Sequence, residues 1–125
     1  MGYNIDTVRV KKLENFIIPL KSLYESERKD WLPKQPVIKD FETNEVQISM
    51  GCGQTIEGIL KDGNIHVSKM NISGEGSGSL MEIVLKNSFE KSSGSFEAVL
   101  IWEEGDSIEC FKINEGIIVR ENVYL

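Results

Sequence analysis

The stretch FEAVLIWEEGDSIECFKINEGIIVRENVYL, residues 96–125, contains three apolar-rich runs that are separated by two short acidic joints. The joints read EEGD at residues 103–106 and NEG at residues 114–116. Apolar runs of this length, joined by turn residues that include glycine, are typical of consecutive hairpins. The stretch therefore predicts a three-stranded antiparallel meander.

The first strand of this meander is apolar on both faces. One face carries Phe96, Ala98, Leu100 and Trp102. Val99 and Ile101 have the opposite parity, so they would point to the other side of the sheet. A strand that is apolar on both sides belongs in the interior of a two-layer or closed structure. We therefore expect this strand to be central.

The last strand of the meander has a less regular pattern. Its predicted inward residues are Ile117, Val119, Val123 and Leu125, and its predicted outward residues are Arg120, Asn122 and Tyr124. Glu121 then falls on the inward parity, which this assignment does not explain without a bulge or an open end.

Short strands also precede the meander. Residues 3–13 alternate, with Val8 and Val10 on one side and a basic face on the other, which favours a strand near an edge of the sheet. Residues 45–50 alternate in the same way. The edges of these two strands would be open to dimerisation or to pairing with another chain.

The sequence between these strands and the meander contains a clear turn and several ambiguous segments. Residues 61–64, KDGN, predict a hairpin turn, and a bulge near Ser68-Lys69 would place Ile65, Val67, Met70 and Ile72 on one face. Residues 73–79 are expected to form a flexible hairpin loop, residues 80–85 a strand, and residues 87–95 a polar loop. Helical spacing predicts a short helix over residues 20–30.

Together these segments predict a single domain over residues 1–125 that is mainly β. We expect an antiparallel meander of about seven or eight strands, forming a barrel-like or two-layer sheet with one short N-terminal helix. Hairpin-linked neighbours of similar length favour a closed or nearly closed barrel over a sandwich.

The net charge of −6 is unevenly distributed along the chain. Up to Lys39 there are eight basic and five acidic residues, whereas the remainder has six basic and fifteen acidic residues. Phosphate groups would be repelled by most of the chain, so nucleic acid is not an expected partner. No apolar run approaches the length of a membrane-spanning helix, and we expect a cytoplasmic protein that does not bind membranes.

The densest group of acidic residues lies at the first joint of the meander. It comprises Glu103, Glu104, Asp106 and Glu109. If the turns gather at one rim of the sheet, Asp62 and Glu115 would extend this surface. Clustered carboxylates attract a basic partner and steer it into contact. These six residues are our candidate partner-binding site.

Residues suited to catalysis or metal binding are sparse. His66 is the only histidine, and Cys52 and Cys110 are the only cysteines, with no spacing that suits a zinc site. Glu109 next to Cys110 disfavours a reactive thiolate. We therefore expect no catalytic residue, no metal site and no cofactor, while the sequence leaves open whether Cys52 and Cys110 form a disulfide.

Size, acidity and the absence of catalytic motifs favour a non-enzymatic protein that binds a basic protein. A small cytoplasmic inhibitor, such as an immunity-type protein that covers a toxin nuclease, is the most concrete version. The alternative is a small-molecule-binding β-barrel, with Trp102, Phe96 and Phe111 lining a cavity. An enzyme would have to build its site from carboxylates alone or with His66. The sequence does not indicate the oligomeric state.

Overall fold

The computed structural model describes residues 5–26, 32–75, 77–102 and 107–124, including their side chains except at positions 5, 6, 75, 102, 107, 123 and 124. Antiparallel strands form one sheet in this part of the chain. The strands are β1 (Ile5–Pro19), β2 (Val37–Asp40), β3 (Glu45–Gly51), β4 (Gln54–Lys61), β5 (Asn64–Asn71), β6 (Gly74–Glu75), β7 (Ser93–Trp102), β8 (Ser107–Asn114) and β9 (Ile117–Tyr124).

The hydrogen-bonded order of the sheet is β2-β3-β4-β5-β1-β7-β8-β9, and the two-residue β6 lies beside β1. The mainly β, antiparallel prediction is confirmed. The sheet is not closed into a barrel, because its order begins at β2 and ends at β9. The edge prediction for residues 45–50 is wrong, since β3 pairs with β2 on one side and with β4 on the other. Within residues 3–13, the described part of β1 pairs with β7 on one side, and on the other side only Ile5 and Asp6 have a strand partner, β6.

The predicted turns form as tight hairpins. Asp62 and Gly63 connect β4 to β5 with φ angles of 53° and 77°, and the flanking pair is Lys61 with Asn64. Two successive residues with positive φ make a type I′ turn, which matches the twist of the strands it joins. Glu115 and Gly116 connect β8 to β9 in the same way, with φ angles of 48° and 79°. The C-terminal meander is therefore confirmed.

The bulge predicted in β5 is also confirmed. Glu57 pairs with Lys69 and Gly58 pairs with Val67, so Ser68 is the extra residue on β5. The bulge restores one inward face along the strand. The residues on that face, all buried, are Ile65, Val67, Met70 and Ile72.

The long central strand β1 joins the two halves of the sheet. Its C-terminal end pairs with β5, through Ile17 with His66 and Ile18 with Ile65, and most of its length pairs with β7. Towards the N-terminal end, where β5 no longer pairs with β1, the Ser73 hydroxyl accepts from the Val8 N–H at 2.9 Å and donates to the Val8 carbonyl at 2.7 Å. This hydroxyl satisfies backbone groups that a neighbouring strand would otherwise pair.

The main correction concerns residues 73–95. Gly74–Glu75 forms β6, and the chain then becomes helical in three pieces: Ser77–Ser79, the π-helical Leu80–Val84, and Lys86–Glu90. We call these pieces together the helical segment 77–90. The predicted hairpin loop, strand and polar loop are therefore wrong, because apolar residues here recur at helical spacing. Its buried apolar residues are Leu80, Met81, Val84, Leu85 and Phe89.

The predicted N-terminal helix is present in shorter form. Leu20–Tyr24 is a 3₁₀ helix, and of the remainder of 20–30 only residues 25 and 26 are described. The Ser22 hydroxyl donates to the Pro19 carbonyl at 2.6 Å, which ties the helix to the end of β1. None of the described helices is long and apolar enough to cross a membrane.

Four phenylalanines form the centre of the core between the sheet and the helical segment. They are Phe16, Phe89, Phe96 and Phe111. Phe89 lies 5.7 Å from Phe96 and 5.8 Å from Phe111 between ring centroids, and Phe16 stacks on Phe96 at 5.3 Å. Such pairs add about 0.5–1.5 kcal/mol each to the stability from buried area. The helical segment is therefore anchored by one ring, Phe89.

The last strand presents the face opposite to the one predicted. Phe111 is buried and pairs with Arg120, so Arg120 lies on the core side of β9, as does Ile118. Ile117 and Val119 point outward and are 68% and 47% exposed. Because side chains alternate between the two faces of a strand, an error of one position exchanges its inward and outward residues. Glu121 then points outward, which removes the misfit noted in the sequence.

Candidate functional site

The acidic residues predicted as a partner surface lie in three different places. Glu103, Glu104 and Asp106 lie outside the described residues. Glu109 is 5% exposed, because it lies on the core side of β8, where it accepts from the Nε of Arg120. It therefore does not contribute to an exposed acidic surface.

Asp62 and Glu115 both lie in exposed turns at the same end of the sheet. Trp102 and Ser107, which flank the 103–106 joint, lie at the other end, because eight residues of β8 separate Ser107 from the turn at Glu115. At about 3.4 Å per residue this separation is roughly 25 Å. The register therefore does not bring Asp62 and Glu115 to the strand ends that flank 103–106.

Asp62 instead belongs to a different acidic surface, which lies on the side of the sheet where β2 is the edge strand. The Leu60 N–H donates to the Asn44 carbonyl at 3.0 Å, which places the β4–β5 turn beside the turn 41–44. We call this surface the acidic corner. Its residues are 37–45 together with Glu57, Lys61 and Asp62. It holds two basic residues, Lys39 and Lys61, against five acidic ones, which gives a formal charge of −3.

The two basic residues do not neutralise the acidic corner evenly. Lys39 Nζ donates to Glu57 Oε1 at 2.8 Å, and this hydrogen bond raises the pKa of Lys39 and lowers the pKa of Glu57. Asp40 accepts from the Glu42 N–H at 2.9 Å, which fixes its carboxylate at the turn. Once Glu57 is paired with Lys39, the acidic residues Asp40, Glu42, Glu45 and Asp62 face one remaining lysine, Lys61. The field of this surface therefore attracts cations.

The acidic corner also exposes large apolar side chains. Phe41 is 80% exposed, Val37 is 65% exposed and Ile38 is 44% exposed. Ile59 on the nearby strand β4 is 37% exposed. Scattered apolar residues on a surface are ordinary, but neighbouring ones next to charged residues mark an interaction site.

The sequence did not reveal β2, although a local signal was present. Pro36 stands immediately before Val37 and favours an extended backbone. The segment leading to it lies along β3, because the Lys34 N–H donates to the Ser49 carbonyl at 3.1 Å. Tyr24 donates its hydroxyl to the Lys34 carbonyl at 2.8 Å, which fastens the same segment to the 3₁₀ helix. Burial raises the pKa of Tyr24.

A second concave surface lies where the helical segment 77–90 meets β8 and β9. We call it the Arg120 groove, and its volume is about 570 Å³. It is lined by Met81, Glu82, Lys86, Glu90, Phe111, Gly116, Ile118 and Arg120.

Arg120 dominates the geometry of this groove. Its Nε donates to Glu109, its Nη1 lies 2.8 Å from Glu82 Oε1, and its Cζ lies 5.6 Å from the centroid of the Phe111 ring. The two carboxylates raise the pKa of Arg120. The guanidinium therefore links β9 to β8 and to the helical segment, with its charge compensated on both sides.

The Arg120 groove has the size of a small-molecule site but balanced charge. Grooves that bind such ligands commonly measure 300–1,000 Å³ and combine an apolar lining with a few polar groups. Phe111 and Ile118 supply the apolar lining. On its rim, Lys86 lies 3.9 Å from Glu90, so this pair also compensates itself.

The ring pair proposed to line a barrel cavity has a different role. Phe96 and Phe111 lie 6.4 Å apart between centroids, and both contact Phe89. No ligand-sized space separates these two rings. The side chain of Trp102 is outside the described side chains.

The remaining reactive side chains are dispersed. Cys52 is exposed in the β3–β4 turn and Cys110 is partly buried on the outer face of β8, and neither forms a disulfide. His66 is partly buried and is the register partner of Ile59 on β4 and of Ile17 on β1. Within the described ranges, no three His, Cys, Asp or Glu residues come together to hold a metal ion.

Comparison of the chain with protein-family models, with curated proteins and with solved structures finds no match. The acidic corner and the Arg120 groove are therefore the two candidate binding surfaces of the described residues. Of the two, the acidic corner combines uncompensated charge with exposed apolar side chains, whereas the charges of the groove are paired.

Proposed function

We propose that this protein is a non-enzymatic binding protein that docks a basic protein partner through the acidic corner. The observation that carries the proposal is the exposure of Val37 and Phe41 on either side of Asp40 and next to Glu42, with Asp62 in the neighbouring β4–β5 turn. Apolar anchors surrounded by a charged rim are the usual anatomy of a protein docking site.

The charge of the surface supports a basic partner in particular. Lys39 is occupied by Glu57, so the field around Phe41 comes mainly from carboxylates. Complementary charge raises the rate of association and disfavours partners of like charge. Exposed aromatic and β-branched side chains add affinity when a partner covers them.

A small cytoplasmic inhibitor of immunity type remains the concrete form of this proposal. Such a protein would cover the basic active site of a toxin nuclease. The support is the acidity of the chain and the position of its exposed apolar residues. Glu103, Glu104 and Asp106 enter the same proposal as a source of long-range attraction, and Glu115 as a further acidic residue at the turn end.

The proposal is tested by capturing proteins from the native lysate with three immobilised variants. The wild-type chain is compared with a corner variant, Glu42→Lys plus Asp62→Lys, and with a control variant, Glu97→Lys plus Glu121→Lys. The control changes net charge by the same amount but lies on the outer face of β7 and β9. Quantitative mass spectrometry identifies proteins that the wild type and the control retain and the corner variant loses.

We expect at least one basic protein in that class, with affinity that falls as salt is raised from 50 to 300 mM, because the surface attraction is screened. A second charge reversal, Glu103→Lys plus Asp106→Lys, should weaken capture at low salt only. If the corner variant retains the same proteins as the wild type, or if the proteins that it loses are acidic, the proposal is wrong.

A second candidate function is suggested by the Arg120 groove. Its volume of about 570 Å³ and its Phe111 and Ile118 lining suit a small molecule with an apolar body. The β-barrel version of this alternative would need a closed interior, so we place the ligand in the groove. A fragment screen by NMR tests it: binders should shift Ile118 and Gly116 resonances, and a set of hits that all shift other residues would contradict it.

A further inference from the structure

We propose that the partner supplies an extended basic segment that pairs with β2 as an additional strand of the sheet. The inference rests on the proposed function and specifies how the partner docks. It is carried by three features of β2: an open backbone edge, an uncovered end of the core layer, and a surplus of carboxylates.

Among the described strands, β2 has a hydrogen-bonded neighbour on one edge only. β2 is the first strand of the hydrogen-bonded order and pairs with β3 on one side. In an edge strand, alternate N–H and C=O groups point away from the sheet, and another extended chain can pair with them. The edge is four residues long, Val37–Asp40, between Pro36 and the turn 41–44.

The core layer is left uncovered at β2. Ile38 pairs with Val46, which is 1% exposed on the core face, yet Ile38 itself is 44% exposed. Ile38 therefore has a neighbour on one side and water on the other. A strand added at this edge would place a side chain against Ile38 and continue the apolar face by one position.

Apolar side chains are also uncovered on the outer face of this edge. Val37 pairs with Gln47 and is 65% exposed, and Phe41 at the end of the strand is 80% exposed. An added strand of alternating residues would cover Val37 with one side chain and Ile38 with the next. Proteins commonly protect an open edge with a short strand, charged residues or proline, and β2 has Pro36 before it and Lys39 and Asp40 at its end, yet Val37 and Ile38 remain exposed.

The charge of the corner selects the chemistry of the added segment. Lys39 is held by Glu57 at 2.8 Å, whereas Asp40, Glu42 and Asp62 lie free of any lysine within the ion pairs of the described residues. Lysine or arginine in the added strand would face Asp40 on β2 and Glu42 directly after it, since opposite charges across strands are favourable, while Asp62 in the β4–β5 turn adds only longer-range attraction. A second copy of this chain would bring the same carboxylates against each other, which disfavours a homodimer at this edge.

The long edge strand β9 fits an added chain less well. Its centre carries Arg120 and Glu121, and Arg120 is already engaged by Glu82 and Glu109. Two copies of β9 paired antiparallel about either residue would place like charges opposite each other, which is destabilising. The β2 edge, which lies in the acidic corner with its formal charge of −3, is the better match for a basic strand.

Strand addition at β2 can be tested with defined peptides on the full chain. The probes are a six-residue peptide that alternates Lys and Val, its Glu–Val counterpart, and two N-methylated versions of the Lys–Val peptide. One version is methylated at the three Lys amides and the other at the three Val amides, so each blocks one edge of the peptide backbone. Binding and location are measured by ¹H–¹⁵N NMR titration and amide exchange.

We expect the Lys–Val peptide to protect alternate amides of Val37–Asp40 and to bind at least tenfold more tightly than the Glu–Val peptide. One N-methylated version should bind like the parent, and the other should lose binding at least tenfold, because a strand pairs through one edge only. The double substitution Glu42→Lys with Asp62→Lys should weaken the parent peptide, and Glu97→Lys with Glu121→Lys should not.

The outcomes separate this inference from the proposed function. If both methylated peptides bind like the parent, or if shifts avoid β2, or if neither charged peptide binds, strand addition at β2 is wrong. Protection of β2 amides in the free chain together with the mass of a dimer would show that a second copy occupies the edge, which also overturns it. If the corner variant captures the same basic proteins as the wild type, the proposed function is wrong instead.

Discussion

Removing Arg120 should destabilise the fold more than removing either of its acidic partners. The side chain of Glu109 is 6% exposed and accepts from Arg120 Nε, whereas the side chain of Arg120 is 36% exposed. Arg120→Met therefore leaves a carboxylate buried without a cation. Breaking a fully buried pair in this way costs about 3–5 kcal/mol, and the partial exposure of Arg120 reduces our expectation to about 2–3 kcal/mol.

The reverse substitution should cost less. Glu109→Met leaves Arg120 with Glu82 at 2.8 Å and with access to water, so we expect about 1 kcal/mol. The double variant Arg120→Met plus Glu109→Met should be more stable than Arg120→Met alone, because two apolar side chains replace the pair without leaving a buried charge. Arg9→Met, on the exposed side of β1, is the control and should change stability by less than about 0.5 kcal/mol.

The assay is urea unfolding followed by fluorescence and circular dichroism, with the slope of each curve checked for two-state behaviour. If Arg120→Met costs less than Glu109→Met, or if the double variant is no more stable than Arg120→Met alone, the account of this pair is wrong.

Three further predictions test other parts of the structure. Pairing with Lys39 lowers the pKa of Glu57, so the pair contributes to stability above about pH 4.5, and this contribution is lost on acidification. Between pH 6 and pH 3, the thermal unfolding temperature of the wild type should therefore fall more than that of Glu57→Gln. Gly94→Ala should lower the free energy of unfolding in urea by about 2–4 kcal/mol, because the φ of Gly94 is +79° and a Cβ would lie 2.0 Å from a backbone oxygen of β1. The control Gly53→Ala, with φ of +77° and open space around the position, should cost about 1 kcal/mol, and equal costs would contradict the close approach at Gly94. Phe89→Ala should cost about 3–5 kcal/mol and Phe89→Leu clearly less, and a cost near zero for both would show that the helical segment does not pack on the sheet.

Local turn chemistry and alternation were sufficient to predict much of the sheet. The Asp62-Gly63 turn, the bulge at Ser68 and the C-terminal meander all follow from patterns within a dozen residues. The antiparallel direction of these strands could therefore be predicted from the sequence, whereas β2 and β6 were not predicted. The order of the strands could not, because it depends on β1 pairing with both β5 and β7, which are distant in sequence.

Two errors have a common origin in short apolar runs. Residues 80–85 satisfy an alternating pattern through Met81, Ile83 and Leu85, but Ile83 is 39% exposed, and the buried residues follow helical spacing into Phe89. In β9 the parity was set by Ile117 and Val119, which the structure exposes. A short run has too few residues to fix its period or its face, and tertiary packing decides both.

The sequence predicted an acidic surface, but it did not indicate the acidic corner that we propose. The acidic balance after Lys39 pointed to a basic partner, and Asp62 belongs to the surface that we propose. The strand β2 was missed because it has four residues and exposed apolar side chains on both faces, so it shows no alternation. Its position at the edge follows only from the pairing of Val37 and Ile38 with β3.

The most direct test of the central claim is the affinity of the captured basic protein for two charge-matched variants. Isothermal titration at 100 mM salt should give a Kd at least tenfold weaker for Glu42→Lys plus Asp62→Lys than for wild type, which is about 1.4 kcal/mol. Glu97→Lys plus Glu121→Lys should change Kd by less than about threefold, because these residues lie on the outer face of β7 and β9. Equal losses in the two variants would show that net charge, and not the acidic corner, attracts the partner, and would contradict the account.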